Sequence, residues 1–160
     1  GRDINYKKGI LLIGGVGPGK STIFRQFQKF LTITNHPNYF KMSESRTITR
    51  DYLRDGIEGL ERWTFNYQQN QHGVTLPQPF ALCIDDLGLE AQEISNYGQK
   101  VDVISEIMAD RYQLFINRGI KTHAITNLAD DLKKNYDERI NDRFREMFNV
   151  VILNGKSRRK

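Results

Sequence analysis

Short apolar runs alternate with longer amphipathic stretches along this chain. Ile10-Leu11-Leu12-Ile13 is an unbroken apolar run, as expected of a strand buried on both faces. Comparable runs predict strands over residues 9–13, 40–43, 80–85, 122–126 and 150–153. Between them, apolar residues recur at helical spacing and predict helices over 20–32, 47–69 (with a break near Gly56 or Gly59), 101–118, 128–134 and 137–147. In the first helix the apolar positions are Ile23, Phe27 and Phe30. In the fourth, Val103, Ile107 and Leu114 repeat at helical spacing. Gly119 stands where a C-cap belongs, and Arg111 and Arg118 are expected on the open side. His36-Pro37-Asn38 and Leu76-Pro77-Gln78-Pro79 read as loops. Strand and helix in alternation argue for an α/β fold with a parallel sheet covered on both faces.

The chain has 160 residues, enough for one domain with a sizeable core, and shows no internal repeat or boundary. No apolar run approaches the ~20 residues needed to cross a bilayer, and the opening Gly1-Arg2-Asp3 lacks the apolar segment of a secretion signal. The one cysteine, Cys83, lies in an apolar run, so no disulfide forms within the chain. A core role and a cytoplasmic location are expected. The net charge of +5 is unevenly placed. Residues 132–160 hold nine of the 24 Lys/Arg and four of the 19 Asp/Glu, which leaves fifteen against fifteen before them. A basic end of this kind suits nucleic acid or a nucleotide, or is a solvated tail.

Four segments carry candidate chemistry. Gly14-Gly15-Val16-Gly17-Pro18-Gly19-Lys20-Ser21-Thr22 follows a strand and opens a helix. Glycine-rich backbone N–H groups cradle phosphates there, Lys20 adds a point charge, and Ser21 offers its hydroxyl to Mg²⁺. ATP or ADP with Mg²⁺ is therefore the expected ligand. Phe80-Ala81-Leu82-Cys83-Ile84-Asp85-Asp86 ends a buried strand in two carboxylates. At the C-terminal edge of an open sheet, Asp85 is placed to hold the metal and Asp86 to orient a water; Asp-Asp-Leu-Gly also reads as a turn. Thr122-His123-Ala124-Ile125-Thr126-Asn127 delivers Asn127 to the same edge if its strand lies between the other two, or uses Asn127 as a helix cap. His123 is expected to be packed or at the surface, not catalytic. Finally, Arg139 and Arg143 are four residues apart and share a helix face. They suit an arginine finger or a surface ion-pair network with Glu138, Asp142 and Glu146.

The order of these parts (phosphate loop, Ile84-Asp85-Asp86-Leu87-Gly88, Ile125-Thr126-Asn127-Leu128, then Glu138-Arg139-Ile140-Asn141-Asp142-Arg143-Phe144) resembles the AAA+ ATPases of the DnaC/IstB helicase-loader group, bacterial or phage in type. Tyr97-Gly98-Gln99-Lys100 through Arg111-Tyr112 is similar as well, and the likeness runs from about Lys7 to Lys160. It implies a P-loop NTPase fold with a five-stranded parallel sheet in the order 5-1-4-3-2 and no C-terminal helical lid. Residues 1–160 then form a single AAA+ domain without the N-terminal region that binds a partner. It also implies ATP hydrolysis with Mg²⁺, self-association through the ATP sites, and single-stranded DNA and a replicative hexameric helicase as partners. By the same resemblance Gly14 to Thr22 are the Walker A residues, Asp85 and Asp86 the Walker B pair, and Asn127 sensor 1. Arg143 is the arginine finger with Arg139 as its helper, and Arg158 takes a sensor-2 role. Asp86 is one methylene shorter than the glutamate common in AAA+ proteins, which implies slow turnover. A transposition helper ATPase of the IstB kind shares these motifs. A nucleotide or small-molecule kinase shares the phosphate loop, and Arg46, Arg50, Asp51 and Arg54 would then serve its substrate. Phe65, Tyr67 and Tyr112 are the aromatic residues considered for base stacking.

Overall fold

A computed structural model describes residues 4–17, 19–88, 94–96, 99–127 and 136–154. Five parallel strands form the central sheet: β1 (Gly9–Ile13), β2 (Phe40–Glu44), β5 (Ala81–Asp85), β8 (Thr122–Thr126) and β9 (Phe148–Ile152). Their order across the sheet is β2-β5-β8-β1-β9. Two short antiparallel hairpins, β3 (Phe65–Gln69) with β4 (Thr75–Pro79) and β6 (Ile94–Asn96) with β7 (Gln99–Val101), shift the strand numbering. With those hairpins set aside, the sheet reads 5-1-4-3-2 from the β9 edge.

The side-chain period of two divides each strand between two cores. Leu11 and Ile13, Leu82 and Ile84, and Ala124 face one side. There they meet Ile48 and Tyr52 of α2 (Ser45–Asp55), Leu60 of α3 (Ile57–Glu61), Ile104 and Met108 of α4 (Val103–Arg118), and Ile140 and Phe144 of α5 (Glu138–Met147). Leu12, Cys83 and Ile125 face the other side and meet Phe24 and Leu31 of α1 (Lys20–Ile33), together with Phe40.

The apolar stripe of α1 points outward: Ile23, Phe27 and Phe30 are each more than half exposed, and Lys20, Phe24 and Leu31 are the buried positions. Several expectations need correction. The long helix expected over 47–69 is three elements. Gly56, at a φ of 62°, ends α2 and starts α3, and Phe65-Asn66-Tyr67-Gln68-Gln69 pairs with β4 as a strand. Leu76-Pro77-Gln78-Pro79 is part of that strand and not a loop. In a two-stranded sheet alternate N–H groups point away from the partner, so Pro77 and Pro79 are tolerated there. The last strand begins at Phe148, two residues before the expected start, and α4 begins after β7 with the Asp102 carboxylate accepting from the Ser105 N–H. The helix expected over 128–134 lies outside the described residues.

Arg111 is the largest departure. It was expected on an open face and is fully buried. Its guanidinium donates to the Thr122 hydroxyl (2.9 Å), the Phe80 carbonyl (2.8 Å) and the Lys121 carbonyl (3.0 Å), and burial lowers its pKa to about 10. It thus fastens the starts of β5 and β8, the two strands whose far ends carry Asp85 and Asn127.

Candidate functional site

β1, β8 and β5 are adjacent, so the loops after them open side by side at the C-terminal edge of the sheet. β8 lies between β1 and β5, the arrangement that brings Asn127 to the phosphate loop. Register fixes the relative heights: Leu12 lies opposite Ile125, and Ile84 opposite Ala124.

After β1 the chain turns through Gly14, Gly15, Val16 and Gly17 to Gly19, which caps α1; Pro18 lies outside the described residues. Gly17 and Gly19 have φ of 92° and 89°, a backbone region that a side chain strongly disfavours. The turn aims Lys20 inward from the first position of α1. Lys20 is 5% exposed, and its ammonium donates to the carbonyls of Gly14 (2.8 Å) and Gly15 (2.7 Å) and to Asn127 Oδ1 (2.6 Å). Thr22, next on the helix, is exposed.

Asp85 ends β5 and is 2% exposed. One of its oxygens accepts from the Ser21 hydroxyl (2.8 Å) and from the Asp86 N–H (3.0 Å). Burial raises its pKa; the Ser21 hydrogen bond opposes that shift, and the Asp86 charge adds to it. Its other oxygen lies 3.6 Å from the Arg25 guanidinium, which also reaches Glu44 at 3.9 Å. Asp86 sits in the left-handed region at a φ of 55°, which aspartate tolerates better than most residues. Three hydrogen bonds hold that turn: Ser45 Oγ to the Asp86 carbonyl (2.9 Å), the Leu87 N–H to the Ile125 carbonyl (2.9 Å), and Thr126 Oγ1 to the Leu87 carbonyl (2.8 Å). The Asn127 amide then bridges the two halves of the site, since its oxygen accepts from Lys20 and its nitrogen donates to Asp86 Oδ1 (3.3 Å).

Five of the expected residues, Lys20, Ser21, Asp85, Asp86 and Asn127, are therefore joined by hydrogen bonds. Ser21 and Asp85 offer hard oxygen ligands 2.8 Å apart. Among the described residues no group of three His, Cys, Asp or Glu could enclose a metal. That donor set fits Mg²⁺, which keeps several waters and takes phosphate oxygens as further ligands.

Arg139 and Arg143 stand apart from this cluster on α5. Arg139 is exposed, and the Arg143 guanidinium lies over the Tyr112 ring at 5.2 Å. Among the described residues, the ion pair on this helix joins Arg145 to Asp142. Arg158 lies outside the described residues. His123 is packed between Phe24 and Phe40, accepts from the Ile10 N–H, and has its pKa lowered to about 4 by burial. Sequence reasoning missed Arg25 and Ser45. Arg25 lies one helical turn and a half beyond Lys20, and nothing in the sequence marks its approach to Asp85. Ser45 follows β2 directly, and only the pairing of β2 with β5 brings it to Asp86.

No protein-family profile matches the chain, and no curated protein matches it in sequence. Solved structures do share its fold. A putative primosome component from Streptococcus pyogenes serotype M3 is 19% identical, with a TM-score of 0.63 over 97% of this chain and 73% of that one. The DnaC helicase loader is 19% identical, with a TM-score of 0.59 over 94% of this chain and 82% of that one. DnaI is 20% identical, with a TM-score of 0.58 over 91% and 72%. The chain shares with these structures an α/β fold with a five-stranded parallel sheet flanked by helices. No described helix is long and apolar enough to cross a membrane.

Proposed function

We propose that this chain is the ATPase core of a DNA-replication helicase loader working in the cytoplasm. In this reading it binds ATP with Mg²⁺, associates with further copies across the ATP sites, and holds single-stranded DNA in a nucleotide-dependent way, with a replicative hexameric helicase as its protein partner. The observation that carries the nucleotide reading is the hydrogen-bonded set Lys20–Asn127–Asp86 beside Ser21–Asp85 at one sheet edge. The loader reading is supported by the order of the motifs and by the fold shared with the DnaC helicase loader and DnaI.

In this reading each residue has a role. The ammonium of Lys20 exchanges the Gly14 and Gly15 carbonyls for phosphate oxygens. Gly14, Gly15, Val16, Gly17, Pro18, Gly19 and Thr22 form the loop and helix start that bind the phosphates through backbone N–H groups. Ser21 and Asp85 hold Mg²⁺, which when bound neutralises charge on the phosphates. Asp86 and Asn127 orient the attacking water. Because Asn127 touches both Lys20 and Asp86, the phosphate grip and the water position are coupled. Arg143, with Arg139 beside it on α5, acts on the nucleotide of a neighbouring copy, and Arg158 contacts nucleotide from the C-terminal end.

The test is fluorescence anisotropy of a labelled single-stranded oligonucleotide with an ATP analogue, with ADP and without nucleotide, run beside ATP turnover. DNA binding that requires the ATP analogue, and turnover that Arg143→Ala lowers by about 10³ while ATP binding persists, are the expected results. DNA binding equal in all three states, or full turnover in Arg143→Ala, would defeat the reading.

One observation favours a second reading, phosphoryl transfer to a small acceptor. A cleft of about 520 Å³ opens beside Asp85, lined by Arg25, Thr47, Arg50 and Trp63. Transfer of the terminal phosphate of ATP to a nucleotide or small-molecule acceptor would establish it; ATP turnover stimulated by DNA would count against it.

A further inference from the structure

The apolar stripe of α1 is not spent on the core. Phe27 and Phe30 are 53% and 60% exposed, and they face a groove of about 730 Å³ at the N-terminal edge of the sheet. Ile4, Tyr6, Tyr39 and Phe80 continue its wall. This is the sheet edge opposite to the one bearing Lys20 and Asp85. The five exposed apolar side chains Ile4, Tyr6, Phe27, Phe30 and Tyr39 present on the order of 600 Å² together. That is the upper end of the ~300–600 Å² of a monomer's largest patch, which is often functional, and approaches the ~800 Å² per partner of a standard interface.

The charges around the groove point to what covers it. Lys8 and Lys121 line it, and no Asp or Glu does among the described residues. The Lys8 ammonium donates to the Arg145 carbonyl, an uncharged partner, and Lys121 has no ion pair among the described residues. Two copies facing each other across a two-fold axis would set these lysines against themselves. A partner with acidic flanks meets no such penalty.

We propose that this groove is a docking site for an amphipathic helix of another protein, apolar along one face and acidic at its margins. Its apolar residues, spaced three and four apart, insert between α1 and the sheet edge against Phe27 and Phe30, and its carboxylates meet Lys8 and Lys121. The site is separate from the nucleotide centre, so its occupancy does not depend on ATP and the proposal stands apart from the ATPase reading.

The experiment uses two fluorescein-labelled helical peptides, each with Leu and Phe at positions three and four apart. One carries Glu at its remaining positions and the other carries Lys. Anisotropy is read with and without an ATP analogue. The acidic peptide should bind in the micromolar range, at least about tenfold tighter than the basic one, with or without nucleotide. Phe30→Glu, an exposed position whose substitution should leave the circular dichroism spectrum unchanged, should weaken the acidic peptide about tenfold. Lys121→Glu should narrow or invert the preference between the peptides. No binding of the acidic peptide, equal binding of both, or indifference to Phe30→Glu and Lys121→Glu would overturn the proposal. So would sedimentation showing a dimer that Phe30→Glu dissolves, because the occupant would then be a second copy.

Discussion

Replacing Arg111 with methionine removes the buried guanidinium that ties the starts of β5 and β8 together, and the structure allows the size of the effect to be worked out. Burial lowers the Arg111 pKa from 12.5 to about 10, so holding the charge inside costs about 3 kcal/mol, which the apolar variant recovers. Against that stand hydrogen bonds to Thr122 Oγ1 and to the carbonyls of Phe80 and Lys121. At about 1.5–3 kcal/mol for each bond involving a charged group, their loss costs roughly 4–9 kcal/mol. The Lys121 carbonyl keeps a contact from the Leu82 N–H at 3.3 Å, which places the outcome toward the lower end of that range. The net expectation is a destabilisation of about 2 kcal/mol. Urea unfolding should show it as a midpoint lowered by about 0.7–2 M at unchanged slope. Arg111→Lys should be no better, because it keeps the buried charge and loses the planar fork that serves three acceptors. The effect should be constant from pH 6 to about 9, since Arg111 stays protonated in both states below a folded pKa of about 10. In the folded variant, ATP affinity should fall as well, because Asp85 and Asn127 end the two strands that Arg111 fastens. A midpoint unchanged or raised in Arg111→Met would refute the reasoning, and would mean that the buried cation is a net cost which the hydrogen bonds do not offset.

Three further outcomes are expected. His123 is held neutral by burial with a pKa of about 4 against 6.5 unfolded; protonation therefore favours the unfolded chain. Stability present above pH 6.5 should be lost as pH falls toward 4, by about 3 kcal/mol in all, and His123→Gln should flatten that slope in urea titrations at several pH values. Asn127→Ala removes the group that touches both Lys20 and Asp86, so single-turnover hydrolysis should slow by about 10²-fold while ATP affinity changes by less than about threefold; equal losses in both would place Asn127 in ground-state binding only. The Cys83 thiol is fully buried, and its pKa is pushed well above 9 by burial and then by the Asp85 charge. A disulfide reagent should therefore label it only at the rate of opening in native buffer and rapidly in urea; fast native labelling would contradict the packing of β5.

The parallel sheet was legible because strands covered on both faces read as near-continuous apolar runs, and Ile10-Leu11-Leu12-Ile13 and Leu82-Cys83-Ile84 are such runs. The meeting of Lys20, Ser21, Asp85, Asp86 and Asn127 was legible because they lie at or just beyond the ends of those runs, where chain order and spacing already fix their company. The β3–β4 hairpin was not. Its strands are short, polar and largely exposed, so Tyr67 and Leu76 carry no alternating signal, and Pro77 and Pro79 look like loop residues until they are placed on a free edge. Arg111 was misplaced because an arginine on a helix is ordinarily at the surface. Its three acceptors come from residues 80, 121 and 122, which only folding assembles.

The rotation of α1, which apolar spacing alone does not give, has its own cause, and it bears on function. A helical stripe of Ile23, Phe27 and Phe30 would turn toward the sheet if burial alone set the rotation of the helix. Here the glycine-rich turn after β1 sets it. Gly17 and Gly19 deliver Lys20 to the sheet edge, where its ammonium meets the Gly14 and Gly15 carbonyls and Asn127. Positions four and eleven residues after Lys20 must then share its face, and those are Phe24 and Leu31, both buried. At 100° per residue, Phe24 and Leu31 lie roughly 40° and 20° to one side of Lys20, and Phe27, Ile23 and Phe30 roughly 20°, 60° and 80° to the other, about 40–100° from the centre of the buried face, which carries them toward solvent. The placement of Lys20 thus leaves an apolar stripe over, and that surplus, rimmed by Lys8 and Lys121, is the surface proposed to dock a partner.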